Sequence, residues 1–155
     1  MNKILFYASG AMLILLSCSS SKINDSTNKI SQGIEGHVYF ISGNQMPSPN
    51  RKPASPKGIK TTLYIYQLTN INQVNRQGQS VFYSAVNTSL ITKIESDTTG
   101  KFTVQLEPGR YSLFTKKGAL FYASIFDKDN NIAPVTVFTG KITKAEVRID
   151  YDATY

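Results

Sequence analysis

Two stretches of this chain alternate so cleanly with a period of two that a half-buried strand is the conformation that satisfies them. In residues 101–106, Phe102, Val104 and Leu106 face one way while Lys101, Thr103 and Gln105 face the other. In residues 144–152, Ala145, Val147, Ile149 and Tyr151 oppose Lys144, Glu146, Arg148, Asp150 and Asp152. Successive side chains on a strand point to opposite faces, so each stretch gives one dry and one wet side. From Ile34 onward the same grammar recurs as short β-branched and aromatic runs punctuated by Gly, Pro, Asn and Asp. Strands are predicted at 34–41, 59–68, 80–86, 89–96, 101–106, 110–117, 119–126, 134–138 and 144–151, with no helix of ordinary length. Nine Tyr and eight Phe, with no Trp, supply the large apolar area of a sheet-rich core. The expectation is an all-β fold, an antiparallel sandwich of seven to nine strands.

The turns have identifiable chemistry. Thr98-Thr99-Gly100 lets the chain reverse before Phe102, and Pro108-Gly109 is expected to set the two φ values of a type II turn. Two segments are too long and polar for tight turns. Residues 42–58 contain Pro47, Pro49, Pro53 and Pro56 beside Arg51, Lys52 and Lys57, and the prolines deny them a central-strand role. Residues 69–80 are rich in Asn and Gln with little to bury, and are read as a second solvated insertion.

The first residues follow another grammar. Asn2 and Lys3 precede a mostly apolar stretch at 4–16, which ends in Leu15-Leu16-Ser17-Cys18. As a helix that stretch would reach about 20 Å, short of the roughly 30 Å hydrocarbon core, so a secretory signal is the better reading than a transmembrane anchor. Leu15-Leu16-Ser17-Cys18 resembles the lipobox of bacterial lipoproteins. The resemblance implies cleavage before Cys18, the only cysteine, and acylation of its sulfur and new amino terminus. A free thiol or half of an intermolecular disulfide is the alternative. The expected organisation is a lipoprotein signal peptide at 1–17, a lipidated end and flexible tether at 18–33, and a sandwich domain at 34–155. Residues 19–33 are too polar to order themselves and would typically span about 20 Å.

Loss of Lys3 with the leader lowers the net charge of +7 by one. A basic, lipid-anchored envelope protein meets anionic lipid or polysaccharide, whereas a nucleic-acid partner fails on compartment. Three serines after Cys18 and no acidic cluster favour the periplasmic face of the outer membrane over surface display.

Asp97, Gly100, Phe102, Leu106, Pro108, Gly109, Tyr111 and Leu113 together resemble the best-marked part of carboxypeptidase regulatory-like domains, which share the transthyretin-like (prealbumin-like) sandwich. Their pattern of a D-x-x-G turn, an alternating strand and P-G-x-Y-x-L fits without gaps. Gly36 and Val38 look like the family's opening G-x-V strand, and residues 58–66 look like the strand after its proline loop. The enlarged loop at 42–58 departs from the family. The resemblance implies an accessory module that carries no chemistry of its own.

The residues read the same way. His37 is the only histidine, so neither a two-imidazole metal site nor an H-x-x-E zinc pair is present, and no nucleophile elbow accompanies a serine. Asp127, Asp129 and Asn131 space oxygen ligands like the start of a calcium loop, but position twelve is Phe138 rather than a bidentate Glu, which favours a solvated turn. No cofactor is expected. Two candidate binding surfaces are marked: a basic one from Arg51, Lys52, Lys57 and Lys60, and an aromatic one from Tyr64 and Tyr66, near Phe82-Tyr83, that could stack on sugar rings, although a core or cross-strand aromatic cluster is the commoner use of such residues. The function so expected is a non-enzymatic envelope module that binds or assembles another envelope protein or a polysaccharide. The alternative is a carbohydrate- or peptidoglycan-binding module using the aromatic face and basic loop.

Overall fold

The computed structural model describes residues 30–47, 49 and 55–155. The leader, Cys18, most of the expected tether and the centre of the proline-rich loop lie outside the described residues.

Among the described residues, eleven strand segments form two sheets. The smaller contains β1 (Gly33–Asn44), β2 (Lys57–Gly58), β7 (Lys101–Gln105) and β11 (Ile142–Thr154). The larger contains β3 (Thr62–Gln67), β4 (Val74–Arg76), β5 (Phe82–Val86), β6 (Leu90–Glu95), β8 (Gly109–Lys117), β9 (Leu120–Tyr122) and β10 (Pro134–Val137). The fold is therefore all-β and sandwich-like. Among the described residues the only helical element is the 3₁₀ turn Ile71–Gln73.

Ile34, Val38, Phe102, Val104 and Ile149 from the smaller sheet meet Leu63, Ile65, Leu113, Tyr122 and Val137 from the larger to form the inter-sheet core. The dry faces read from alternation in residues 101–106 and 145–151 are the ones that pack there. Strand β8 is buried on both faces from Tyr111 to Thr115 because Tyr111 and Leu113 pack in the inter-sheet core and Phe114 in the second core on the other side, while β3 flanks one edge and β10 and then β9 the other.

Four expectations are corrected. First, β1 and β11 pair in parallel, from Gly33 with Ile142 to Asn44 with Thr154, so the sandwich is not wholly antiparallel. Alternation fixes which face of a strand is dry and carries no information on the direction of its neighbour. Second, residues 69–80 are a solvated insertion only in part: 72–73 and 75–80 are exposed, but the segment is docked through 69–71 and 74. Thr69 is buried, and Ile71 and Val74 pack with Tyr66, Tyr83, Phe114 and Ile132 in a second core on the outer side of the larger sheet. Third, the strand expected at 119–126 ends at Tyr122, and the chain leaves the sheet to form part of that cover. Fourth, Gly109 has no positive φ, so Pro108-Gly109 is not a type II turn; Gly109 opens β8 opposite Val137, and Tyr111 Oη donates to the Glu107 carbonyl at 2.7 Å.

The turn at 97–100 is built as its residues demand. Asp97 Oδ1 accepts from the backbone N–H groups of Thr99 and Lys101, at 2.8 and 2.9 Å, and from Thr99 Oγ1 at 2.7 Å. Gly100 has φ +86, and a Cβ there would lie 2.3 Å from the Val38 carbonyl oxygen. Val38 N–H in turn donates to the Gly100 carbonyl at 2.8 Å, so the turn is docked directly on β1.

Gly100→Ala is expected to destabilise the fold by about 2 kcal/mol or more, because it adds a backbone clash to left-handed strain. Gly78→Ala provides the contrast: φ there is +58 but nothing lies within 4 Å, so only the conformational term remains. Chemical denaturation of both variants checks the ordering, and equal losses would mean that close packing of the turn on β1 contributes nothing. Tyr111→Phe, which removes one hydrogen bond, is expected to fall between the parent and Gly100→Ala, at about 1 kcal/mol.

Candidate functional site

The two sheets differ in what covers their outer faces. On the larger sheet, Tyr66 and Phe114 lie under the segments at 69–76 and 123–133. Those segments are stitched together: Ile71 N–H donates to the Asn130 carbonyl at 3.0 Å, Ile132 N–H to the Thr69 carbonyl at 2.8 Å, and Asn70 Nδ2 to the Asp129 carbonyl at 2.8 Å. On the smaller sheet, β1 and β11 turn a row of polar side chains outward. The register sets Glu35 between Thr103 and Lys144, His37 between Lys101 and Glu146, and Tyr39 beside Arg148.

This outward face carries two clefts that share Glu146. One, of about 510 Å³, is lined by Glu35, His37, Lys101, Lys144 and Glu146. The other, of about 600 Å³, is lined by Tyr39, Ile41, Gln45, Pro56, Arg148 and Tyr155 as well as Glu146. The His37 ring stacks on Tyr39, with centroids 5.8 Å apart and planes 15° from parallel. Among the described residues, Glu35, Lys101, Lys144 and Glu146 form no ion pair.

Asp150 anchors the edge of this face. Its Oδ1 accepts from Tyr122 Oη and from Ser124 Oγ, the latter at 3.2 Å. Its Oδ2 accepts from Tyr155 Oη at 2.9 Å and lies 3.5 Å from Arg148 Nη2. Arg148 Nη2 also donates to Tyr155 Oη at 2.9 Å, which ties the guanidinium to the exposed ring. Burial pushes the Asp150 carboxyl up, but hydrogen bonds from Tyr122, Tyr155 and Ser124, with the Arg148 charge, outweigh it and hold the group below the usual carboxylate range. The Tyr122 phenol is pushed up to about 12, first by burial and then by its hydrogen bond to Asp150.

The sequence-predicted site residues fall in several places. Cys18, Arg51 and Lys52 lie outside the described residues. Lys57 is exposed on β2, and Lys60 pairs with Glu95 at 3.1 Å, both side chains well exposed. Tyr66 is buried and Tyr64 half-buried, each edge-on to Phe121, with Lys116 Nζ 5.0 Å from the Tyr64 centroid. These two tyrosines belong to the second core of the larger sheet, while Lys57 belongs to the smaller sheet. Tyr64 and Tyr66 therefore do not share a sheet with Lys57. Phe82 and Tyr83 separate as well, Phe82 packing in the inter-sheet core and Tyr83 in the second core.

Asp127, Asp129 and Asn131 form a clasp. Asp127 Oδ1 accepts from the N–H groups of Asp129 and Asn131, at 2.9 and 2.8 Å, while Oδ2 accepts from Asn131 Nδ2 at 2.9 Å and Arg110 Nη2 at 3.2 Å. A cation would have to displace these donors.

Tyr39, Gln45, Glu146, Arg148 and Tyr155 were not marked as site residues by the sequence. The wet side of β11 announced Glu146 and Arg148 as outward, but only the parallel partnership with β1 brings Tyr39 beside them. Comparison of the chain with protein-family models, with curated proteins and with solved structures finds no match.

The Tyr122–Asp150 link predicts opposite responses at the two ends of the pH scale. Asp150, with its folded pKa depressed, contributes stability that is present above the unfolded value near 3.9 and lost as pH falls through the folded one. Tyr122, with its pKa raised, contributes stability that is complete below about 10 and lost as pH rises through about 12. Phenolate absorbance is a clean probe because the chain has no Trp. Titration of the parent should show a late component reaching about 12 that disappears in Tyr122→Phe. An unchanged late component in that variant would assign it to another tyrosine.

Proposed function

We propose that this protein is a non-enzymatic, lipid-anchored module of the bacterial cell envelope that binds or assembles another envelope component through the open face of its smaller sheet. The observation that carries the reading is the asymmetry of cover. The outer side of one sheet is sealed by a second aromatic core, whereas that of the other is cleft and carries Glu35, Lys101, Lys144 and Glu146, which form no ion pair among the described residues.

The ends of β1 support this reading. Where the chain enters the sandwich, Gln32 Nε2 donates to the Leu106 carbonyl at 2.8 Å and Gln32 Oε1 accepts from Gly140 N–H at 2.9 Å. Twelve residues later the strand delivers the chain to the proline-rich loop at the other pole, roughly 36 to 40 Å away at about 3.3 Å per residue. With acylated Cys18 as anchor, the tether would join the domain at the pole where β1 begins. The Leu15-Leu16-Ser17-Cys18 lipobox and the periplasmic face of the outer membrane complete the proposed placement. No helix among the described residues is long and apolar enough to cross a membrane.

A transthyretin-like domain of the carboxypeptidase regulatory-like kind is the proposed fold family. Three contacts favour it: the docking of the 97–100 turn on β1, the tyrosine bond from Tyr111 to Glu107, and the close approach at Gly36, where a Cβ would lie 1.9 Å from the Ala145 carbonyl oxygen. The non-enzymatic part of the proposal rests on the resemblance, which implies an accessory module without chemistry of its own, and the His37 ring is engaged in stacking on Tyr39.

Cys18→Ala is expected to abolish both fatty-acid labelling and membrane flotation. In the lipidated parent, a photo-crosslinking residue at Lys144 should capture an envelope component, whereas one at Gln79, on the hairpin between β4 and β5, should not. Equal yields from the two positions would sink the assignment of the smaller sheet's face as the working surface.

A further inference from the structure

We infer that the cleft lined by Tyr39, Gln45, Pro56, Glu146, Arg148 and Tyr155 is a saccharide-binding site, and that its ligand is an uncharged sugar unit rather than an anionic polymer. The inference rests on the proposed use of the smaller sheet's face and names the ligand of its second cleft.

The donor set argues for the ligand class. Glu146 is a pure acceptor when ionised, Arg148 a pure donor, and Gln45 offers both functions through its amide. Glu146 and Arg148 lie two residues apart on the same side of β11, which separates their Cα atoms by roughly 7 Å. An anion placed here meets Arg148 but also Glu146 and the Asp150 carboxylate behind it. A cation meets Arg148, whose charge cannot be titrated away. An apolar ligand would strip water from Glu146, Arg148 and Gln45 without replacing their hydrogen bonds. A polyhydroxylated ring satisfies all of them, because each hydroxyl donates once and accepts twice and can answer a carboxylate on one side and a guanidinium on the other.

The apolar share of the cleft fits the same ligand. Tyr155 is 63% exposed, Tyr39 is half-buried, and Pro56 and Ile41 complete a wall suited to the C–H faces of a sugar ring. A volume of about 600 Å³ falls within the range of small-molecule sites.

The site is also held in place before any ligand arrives. Arg148 and Tyr155 are bonded to one another and to Asp150, which is bonded through Tyr122 to the inter-sheet core. Gln45 N–H donates to the Thr154 carbonyl at 2.8 Å and its Nε2 to the Ser42 carbonyl at 2.9 Å, fixing the base of the loop against the end of β11. A side chain already fixed loses less freedom on binding. Glu146 is the exception: among the described residues it has no ion pair or hydrogen bond, so its carboxylate is available to the ligand.

The test uses the full-length lipidated protein in detergent and the Cys18→Ala chain. Each is run by native affinity electrophoresis through a soluble β-glucan, a galactomannan and a starch, and titrated calorimetrically with N-acetylglucosamine tetramer. At least one probe should retard or bind both forms, with an affinity that does not fall between low and high salt. Glu146→Gln, which removes no contact seen in the fold, and Tyr155→Ala should each weaken binding at least tenfold, while Tyr64→Ala should leave it unchanged. Failure of all four probes overturns the inference, and so does binding that collapses with salt or is indifferent to Glu146→Gln. If the probes fail while crosslinking from Lys144 still captures a protein, the open face stands as the working surface and the saccharide assignment alone is lost.

Discussion

The parallel ladder between β1 and β11 is the constraint on which the rest of the architecture depends. It joins residues 33–44 to residues 142–154, so every other described strand is enclosed between its two members. Parallel pairing forces the chain to bring the start of β11 back to the pole where β1 began, and the sandwich is the route of that return. The ladder fixes the sheet, the sheet fixes the outward row of Glu35, His37 and Tyr39 against Lys144, Glu146 and Arg148, and the clefts follow.

The larger sheet solves a different problem. A strand such as β3 carries Leu63 and Ile65 on one side and Tyr64 and Tyr66 on the other, which is too much apolar area for one wet face. The segments at 69–76 and 123–133 cover the excess. Their polar residues are spent on fastening: Asn70 caps the short 3₁₀ turn in a box with Gln73 and bridges to Asp129 and Asn131, and Asp127 closes its own loop while holding Arg110. Asn- and Asp-rich segments here are the stitching of a second layer, which is why they carry aromatic and β-branched residues in their midst.

This division explains what was legible in the sequence. Residues 101–106 and 144–152 announced their faces because one side of each is dry, and Asp97 and Gly100 announced their turn because side chain and φ must cooperate there. The direction of β11 relative to β1 was not legible, since side-chain period is the same in either sense. The docking of 69–74 was hidden because composition averaged Ile71 and Val74 into a polar stretch, and two apolar residues suffice to dock a segment whose remaining bonds are polar. Tyr64 and Tyr66 read correctly as sharing a strand face. Whether that face was open depended on a segment lying more than fifty residues further along the chain. For the site, Glu146 and Arg148 were visible as outward residues, yet the cleft they line exists only because Tyr39 comes from the opposite end of the domain.

Edges connect stability to the open face. Strand β11 has β1 on one side only, and a free edge exposes unpaired backbone groups to other chains. Near its end Tyr122 Oη accepts weakly from the Asp150 N–H at 3.4 Å while donating to the Asp150 carboxylate, so one phenol from the larger sheet occupies both functions of that residue. The Lys117–Asp152 pair at 2.8 Å, with Lys117 Nζ 4.0 Å from the Tyr151 centroid, covers the next outward turn of the strand. The carboxylate that protects the edge is the same one that positions Arg148 and Tyr155. A variant that loosens Asp150 therefore exposes the edge and disorders the cleft together, whereas one at Glu146 touches the cleft alone. That separation follows from geometry: Asp150 is bonded into both sheets, and Glu146 projects from β11 into the clefts on either side of it with no bond of its own among the described residues.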